Sequence, residues 1–290
     1  MAEKRKDWTV LHMLEWATAY FKDAGVNQPR LSIEWLLACV LDVKRLDLYL
    51  MYDRPLMKVE LDRLRAFVKR RALHEPLQYI TGSTDFFGLT IHVEQGVLIP
   101  RPETEELVES IVNEVKGSSQ GKVIDLGTGS GCIALALAHT LPGWEVSATD
   151  VSEDALKIAR QNGSRLGLTV HWVNHSWLEP DSGIDFPTFD VVVSNPPYIL
   201  NDERPDLDKE VRDYEPGIAL FCESTDYIYS GIEQFANKHL APKGVVFLEL
   251  HEQHAQEVAS LFSLNGWKCD LIQDLGGKNR FLKARRNGLV

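Results

Sequence analysis

The chain has 290 residues, enough for two domains of ordinary size, and its 44% hydrophobic and 25% charged content suits a globular protein with a buried core. Its 31 Lys and Arg against 42 Asp and Glu leave a net charge of −11, which argues against broad binding to nucleic acid or an anionic membrane, because that affinity comes from a basic surface. The opening MAEKRKDW has no apolar run behind its basic start, so no signal peptide is expected, and no stretch approaches the ~18–20 apolar residues that span a bilayer. Cys39, Cys132, Cys222 and Cys269 are too widely spaced for a zinc pattern or a dense disulfide framework, which fits reduced thiols in a cytoplasmic protein.

Residues 8–73 read as helices: Leu11, Leu14 and Ala17, then Ile33, Leu36, Leu37 and Val40, then Leu61, Leu64 and Val68 recur at the 3.6-residue period. This predicts a small helical domain over residues 1–75. From Leu77 to Pro100 the chain alternates through QYITG, TDFFG and LTIHV, with Gly82 and Gly88 as turn signals, so residues 76–100 are expected to form a connecting β-hairpin. Phe86 and Phe87 are expected to pack it onto its neighbours. A third part, residues 101–290, starts with a helix from Glu103 behind Pro100-Arg101-Pro102. Strand patterns follow at 123–126, 145–150, 169–173, 189–195, 244–250, 267–272 and 280–285, and helical patterns at 131–140, 153–165, 225–240 and 252–264. Such alternation implies an α/β doubly wound parallel sheet with helices on both faces. The short DLGGKN link between the last two strands permits only an antiparallel hairpin at the sheet edge.

The first strand of this sheet runs into Asp125-Leu126-Gly127-Thr128-Gly129-Ser130-Gly131, and a helix begins at once. Glycines there let a ligand approach the backbone where the strand order reverses. The spacing is G-x-G-x-G, and Cys132 stands where a dinucleotide fingerprint would begin to close on its third glycine. Asp125 beside the loop would repel a pyrophosphate but suits a cofactor with an ammonium group, such as S-adenosylmethionine. Asp150 ends the second strand about 20 residues on, the place from which a carboxylate accepts ribose hydroxyls. The antiparallel terminal hairpin agrees with a Rossmann-like S-adenosylmethionine-dependent methyltransferase sheet and not with a dehydrogenase.

The fourth strand ends in Asn195-Pro196-Pro197-Tyr198. This resembles the tetrapeptide of methyltransferases that modify a planar nitrogen, in an adenine, a cytosine or a glutamine amide. Such a nitrogen is a poor nucleophile because its lone pair is delocalised. The Asn195 side-chain oxygen and the Pro196 carbonyl can accept its two N–H groups and turn the lone pair toward a methyl donor. Prolines fix the backbone and offer no competing N–H. Tyr198 can lay its ring on a flat acceptor.

Taken together, PLQYITG, FFGL, LIPRPETEELVE, DLGTGSGCIALALA, NPPYI and EVRDYEP make the chain similar to the protein-(glutamine-N5) methyltransferases that modify peptide chain release factors. The resemblance covers most of the length. It implies S-adenosylmethionine as cofactor, S-adenosylhomocysteine as product and no metal. It also implies methylation of the glutamine amide in a Gly-Gly-Gln segment of class I release factors, with the helical domain binding the acceptor protein. The implied cofactor residues are Gly127, Thr128, Gly129, Ser130, Gly131, Asp150, Trp177 and Asn195, with Asp125 and Arg101 in supporting roles. Asn195, Pro196, Pro197 and Tyr198 hold the acceptor, and Asn195 with Pro196 carries the catalysis. A monomer without direct nucleic-acid or membrane contact is expected.

The chain departs from the family pattern at Ser176, where an acid is usual, at Phe221 to Tyr227, and at Glu249-Leu250-His251, where E-I-G is usual. His251-Glu252-Gln253-His254 lacks the three-residue separation of a helical zinc motif and reads as a solvated helix start. The acidic stretch from Asp202 to Glu215 reads as a lid over the acceptor. Two other enzymes share the tetrapeptide. One is a glutamine methyltransferase acting on a ribosomal protein. The other is a DNA or RNA amino-methyltransferase, which would need a basic region for a flipped base that this chain lacks.

Overall fold

A computed structural model of the chain describes residues 8–179 and 183–288; the expectation for the opening MAEKRKD lies outside them. Helices α1 (Val10–Asp23), α2 (Pro29–Leu41), α3 (Lys58–Ala72) and α4 (Leu77–Thr81) come first, with a 3-10 turn at Arg45–Leu50. The Thr9 hydroxyl caps α1 by accepting the His12 N–H, and Pro29 occupies the first turn of α2, where its missing N–H costs nothing. Phe21, Ile33, Leu36, Leu37 and Leu64 are fully buried in this helical core. The structure corrects the expectation for QYITG. Pro76 starts a short helix, and Gly82, at φ 84°, ends it by donating to the Gln78 carbonyl, so the alternation there is one helical turn with buried Tyr79 and Ile80.

The hairpin is confined to β1 (Ser83–Phe86) and β2 (Leu89–His92). Its two-residue turn places Phe87 at φ 49° and Gly88 at φ 77°, the pair of positive angles that matches strand twist. Phe86 is 1% exposed and belongs to the core, whereas Phe87 supplies the turn. Then follow α5 (Pro102–Glu114), β3 (Gly121–Leu126), α6 (Cys132–Thr140), β4 (Trp144–Asp150), α7 (Glu153–Leu166), β5 (His171–Asn174) and β6 (Phe189–Ser194). The short β7 (Ile199–Leu200), α8 (Lys209–Tyr214), α9 (Gly217–Leu220) and β8 (Phe221–Cys222) lead to α10 (Thr225–His239), β9 (Leu240–Glu249), α11 (Ala255–Leu264), β10 (Trp267–Gln273) and β11 (Asn279–Arg286).

Seven strands form one sheet in the order β10-β11-β9-β6-β3-β4-β5. It is parallel except for β11, which runs antiparallel to both β9 and β10. This is the Rossmann-like methyltransferase sheet expected from the sequence. Val123, Ile124, Val191, Val192, Val193 and Val246 are fully buried because helices cover both faces, which is why these strands read as continuous apolar runs. The chain steps from β3 through β4 to β5, then returns to the other side of β3 as β6. The crevice at the carboxyl ends of β3 and β6 is therefore the switch point where ligands bind.

The chain divides into two compact units. One comprises the helical region to Gly82 together with Asp208–Tyr214; the other holds Ser83–Leu207 and Glu215–Val290. The stretch from Asp202 to Glu215 is thus not one lid, because its charges are spent on separate partners. Within the helical unit Asp208 accepts from the Asn27 amide, Glu210 pairs with Arg71 at 2.6 Å, and the Tyr214 hydroxyl donates to the Leu73 carbonyl. Glu203 and Glu215 serve the sheet-bearing unit.

Candidate active site

A cavity of about 350 Å³ opens at the switch point. Gly127, Gly129 and Gly131 take φ values of 75°, 55° and 84°, a region that L-residues rarely adopt. A Cβ on Gly127 would meet the Trp177 ring at 3.1 Å, whereas one on Gly129 would project into open space. Gly129 therefore keeps its backbone accessible to a ligand. Asn162 on α7 holds the loop and the hairpin together: its amide donates to the Ser130 and His92 carbonyls and its oxygen accepts the His92 N–H. Nothing local in the sequence marked this residue.

Asp150 lines the cavity from the end of β4, where its carboxylate accepts the N–H groups of Gly129 and Ser152, each at 2.9 Å. Burial raises its pKa above the ordinary carboxylate value, against the pull of these amides. Each oxygen keeps a second lone pair that ribose hydroxyls can use. Trp177 forms another wall, with the far edge of its ring against Gly127, and its buried indole N–H has no hydrogen-bond partner among the described residues. An adenosyl group with a polar edge and a diol fits these features. Ser176, in place of the usual acid, also lines the cavity, and its hydroxyl accepts the Leu178 N–H.

Asp125 does not line the cavity. It lies under the loop, fully buried, with one oxygen accepting the Thr128 hydroxyl at 2.6 Å. Burial, with the nearby Asp150 charge adding to it, pushes its pKa up to about 7. Its place beside the loop in sequence becomes a place behind it in space, because strand residues alternate sides. Cys132 lines the cavity as a thiol that burial pushes up to about 12, far from nucleophilic at neutral pH.

At the end of β6, Asn195 and Pro197 line the cavity, while Pro196 and Tyr198 are not among its lining residues. Tyr198 donates its hydroxyl to Glu249 at 3.2 Å. Burial, with the Glu249 charge adding to it, pushes this phenol well above its ordinary value. Asn195 is held by residues that the sequence reading gave no role. Its side-chain nitrogen lies 3.3 Å from the Thr104 hydroxyl, and that hydroxyl lies 2.8 Å from a Glu249 oxygen. Thr104 and Glu249 are each 2% exposed. A carboxylate only accepts, so the single Thr104 proton goes to Glu249 and the Thr104 oxygen must accept. Asn195 therefore presents its NH₂ to Thr104, which leaves Oδ1 for the cavity. Burial raises the Glu249 pKa, opposed by Thr104, Tyr198 and Arg280.

Arg101, at the mouth of α5, lines the cavity and pairs with Glu215 at 2.6 Å; Glu215 also accepts the Ile99 N–H. The residues that the sequence singled out thus line one crevice, except Asp125, Pro196 and Tyr198, which are not among its lining residues.

Two family models match the chain: the PrmC N-terminal domain over residues 12–82 and the methyltransferase small domain over residues 102–209. The chain is 39% identical to the release factor glutamine methyltransferase of Geobacter sulfurreducens, over 98% of this chain and 99% of that one. It is also 39% identical to the protein of the same name from Chlorobaculum tepidum, over 97% and 98%. Among solved structures, the hMettl16 catalytic domain in complex with an RNA hairpin superposes with a TM-score of 0.53 at 18% identity, covering 78% of this chain and 80% of that one. This last likeness shows a shared fold.

Proposed function

The chain belongs to the release factor glutamine methyltransferase family, and on that premise we propose that it methylates the side-chain amide nitrogen of the Gly-Gly-Gln glutamine in class I peptide chain release factors, with S-adenosylmethionine as donor. The observation that carries this reading is the Thr104–Glu249 relay, which turns the Asn195 oxygen toward a cavity that also holds the glycine loop and Asp150. When bound, the cofactor supplies a methyl group on a sulfonium, an electrophile that needs no activation by a metal.

The protein has to present a reluctant nitrogen. Asn195 Oδ1 and the Pro196 carbonyl accept the two N–H groups of the acceptor amide, and the lone pair swings out of conjugation toward the methyl. Positioning and charge complementarity would lower the barrier, since the nitrogen becomes positive as the N–C bond forms and the donor's C–S bond breaks, the two oxygens face it, and its surplus proton then passes to water. Asp150 would hold the ribose, and the Trp177 ring would wall the adenosyl group. Arg101, kept in place by Glu215, stands at the rim.

The helical unit binds the acceptor protein in this reading, because a pocket for one glutamine cannot tell release factors from other chains. Trp16 and Tyr20 are exposed on α1 and stacked at 5.4 Å, a rigid aromatic platform of the kind that anchors protein contacts. A cytoplasmic monomer is the working state of this proposal. Incubation with methyl-labelled cofactor and purified release factors, followed by mass spectrometry, tests it. A methyl on the Gly-Gly-Gln glutamine is the expected result, and methylation of a ribosomal protein in its place would reassign the substrate.

A further inference from the structure

Outside the cavity, Glu203, His251 and His254 each offer one ligand atom, and the three atoms lie within 4.8 Å of one another. The histidines flank a turn ahead of α11, not a helical face, and their side chains are 20% and 21% exposed; the pair expected as a solvated helix start is thus half-buried. Glu203 arrives from the segment after β7, and its Oε1 lies 3.8 Å from His251 Nε2. We propose that Glu203, His251 and His254 form a binding site for a divalent transition cation, with zinc as the best match.

The surrounding contacts favour this. Glu203 Oε2 is held by the Leu200 N–H at 2.7 Å, which leaves Oε1 for the ion. His254 Nδ1 lies 3.0 Å from Glu257 Oε2. A carboxylate on one ring nitrogen fixes the tautomer and leaves the other nitrogen's lone pair for a metal. Two imidazoles and one carboxylate, with room for a water, make a three-ligand zinc set, whereas Mg²⁺ and Ca²⁺ want oxygens alone. Bonds of about 2.0–2.1 Å place tetrahedral ligand atoms ~3.4 Å apart, so closure asks for movements of about an ångström.

Ligation through His251 Nε2 gives up the Gln253 N–H contact to Nδ1, which at 3.3 Å is a weak one, and moves the ring proton to Nδ1. The positive charge facing the cluster, Arg280, is bound to Asp274 at 3.1 Å and lies 3.8 Å from Glu252. His251 also stands where the family resemblance expects glycine, so the site would be a property of this chain and not of the fold. Its ring centroid is 5.9 Å from that of Tyr198. An ion there ties the segment leaving the tetrapeptide to the turn after β9, and the proposal holds whatever the acceptor is.

Titration of untagged full-length protein with Co²⁺, read by visible absorption, tests the site. One cobalt per chain with the intense bands of a low-symmetry site, displaced by Zn²⁺, is expected. His251→Ala and His254→Ala should abolish the bands, and Glu257→Gln should weaken binding by roughly 10–100-fold, as for other residues that orient a metal-bound histidine. All three should keep the wild-type melting temperature in EDTA, which separates lost ligation from lost folding. Absence of the bands at micromolar cobalt, or equal bands in the wild type and both alanine variants, would overturn the proposal.

Discussion

Arg101 and Glu215, 114 positions apart in the chain, form an ion pair at 2.6 Å in which the carboxylate is 1% exposed and the guanidinium 32%. Glu215 also caps the Ile99 N–H, so one buried acid fixes both the entry to α5 and the point where the chain rejoins the sheet-bearing unit. Arg101→Ala removes a counter-charge from that acid. Loss of a partner from a fully buried pair costs about 3–5 kcal/mol, and the half-exposed arginine puts this case at about 2–3. The double variant with Glu215→Gln should regain part of that loss in chemical denaturation, because the amide still accepts the Ile99 N–H. A double variant less stable than Arg101→Ala would show that the charge itself is not the issue.

Asn195→Ala deletes the oxygen that the proposed mechanism assigns to the acceptor N–H. A loss of ~10²–10³ in kcat is expected, as for other groups poised at a transition state, with a smaller change in cofactor affinity. Near-normal turnover would remove Asn195 from the mechanism.

The relay behind it gives a subtler test. Glu249→Gln keeps the shape but can donate to Thr104, which then donates to Asn195 and draws Oδ1 away from the cavity. Thr104→Val breaks the relay outright. Both should lower kcat by roughly 10-fold or more while cofactor affinity, measured by calorimetry, stays close to wild type. A change confined to cofactor affinity would place these residues in binding alone.

Asp150→Ala should weaken S-adenosylmethionine by roughly 1.5–3 kcal/mol, the worth of a charge-assisted contact. The loss includes order in the loop, since Gly129 and Ser152 both lean on this carboxylate. Equal affinity in both proteins would exclude the ribose role.

Asp125 gives the fold a pH dependence of known sign. Its folded pKa of about 7 lies above the ordinary 3.8, so between these values the folded state holds the proton and the unfolded state does not. Stability therefore falls as pH rises from about 4 to about 7, and the full penalty is present above that window. Thermal melts at pH 6 and 8 should show the decline, and Asp125→Asn should flatten it. A wild-type profile with no such slope would mean that Asp125 stays charged.

Much of this was legible in the sequence. The sheet, its antiparallel end and the crevice follow from apolar runs, short links and glycine spacing, all of which are local. Asn195 and Asp150 were legible as cavity residues because each stands at a strand end. Thr104 and Glu249 were not, although both lie in segments that drew attention. Their part depends on α5 and β9 meeting across 145 positions, and no local pattern encodes that. Asp125 was misplaced for a related reason: sequence shows which residues adjoin a loop, but side-chain direction decides whether they face the cavity. QYITG shows the limit of short alternation, where one helical turn and a strand read alike.

The return of Asp208–Tyr214 to the helical unit sets an order of assembly. Translation at about 5–20 residues per second delivers this segment roughly 6–25 s after Gly82. Until then Arg71, 3% exposed in the finished protein, has Ser32 and the Glu75 carbonyl but not Glu210. The first unit to emerge is thus completed by residues made after much of the second, so a simple truncation after Gly82 removes part of it. Substitutions in the full chain are the sound probe of acceptor docking: Trp16→Ala with Tyr20→Ala should raise KM for the release factor and spare kcat, and an unchanged KM would direct the search to another face. In a newborn chain the helical unit is complete only once residues 208–214 have been made.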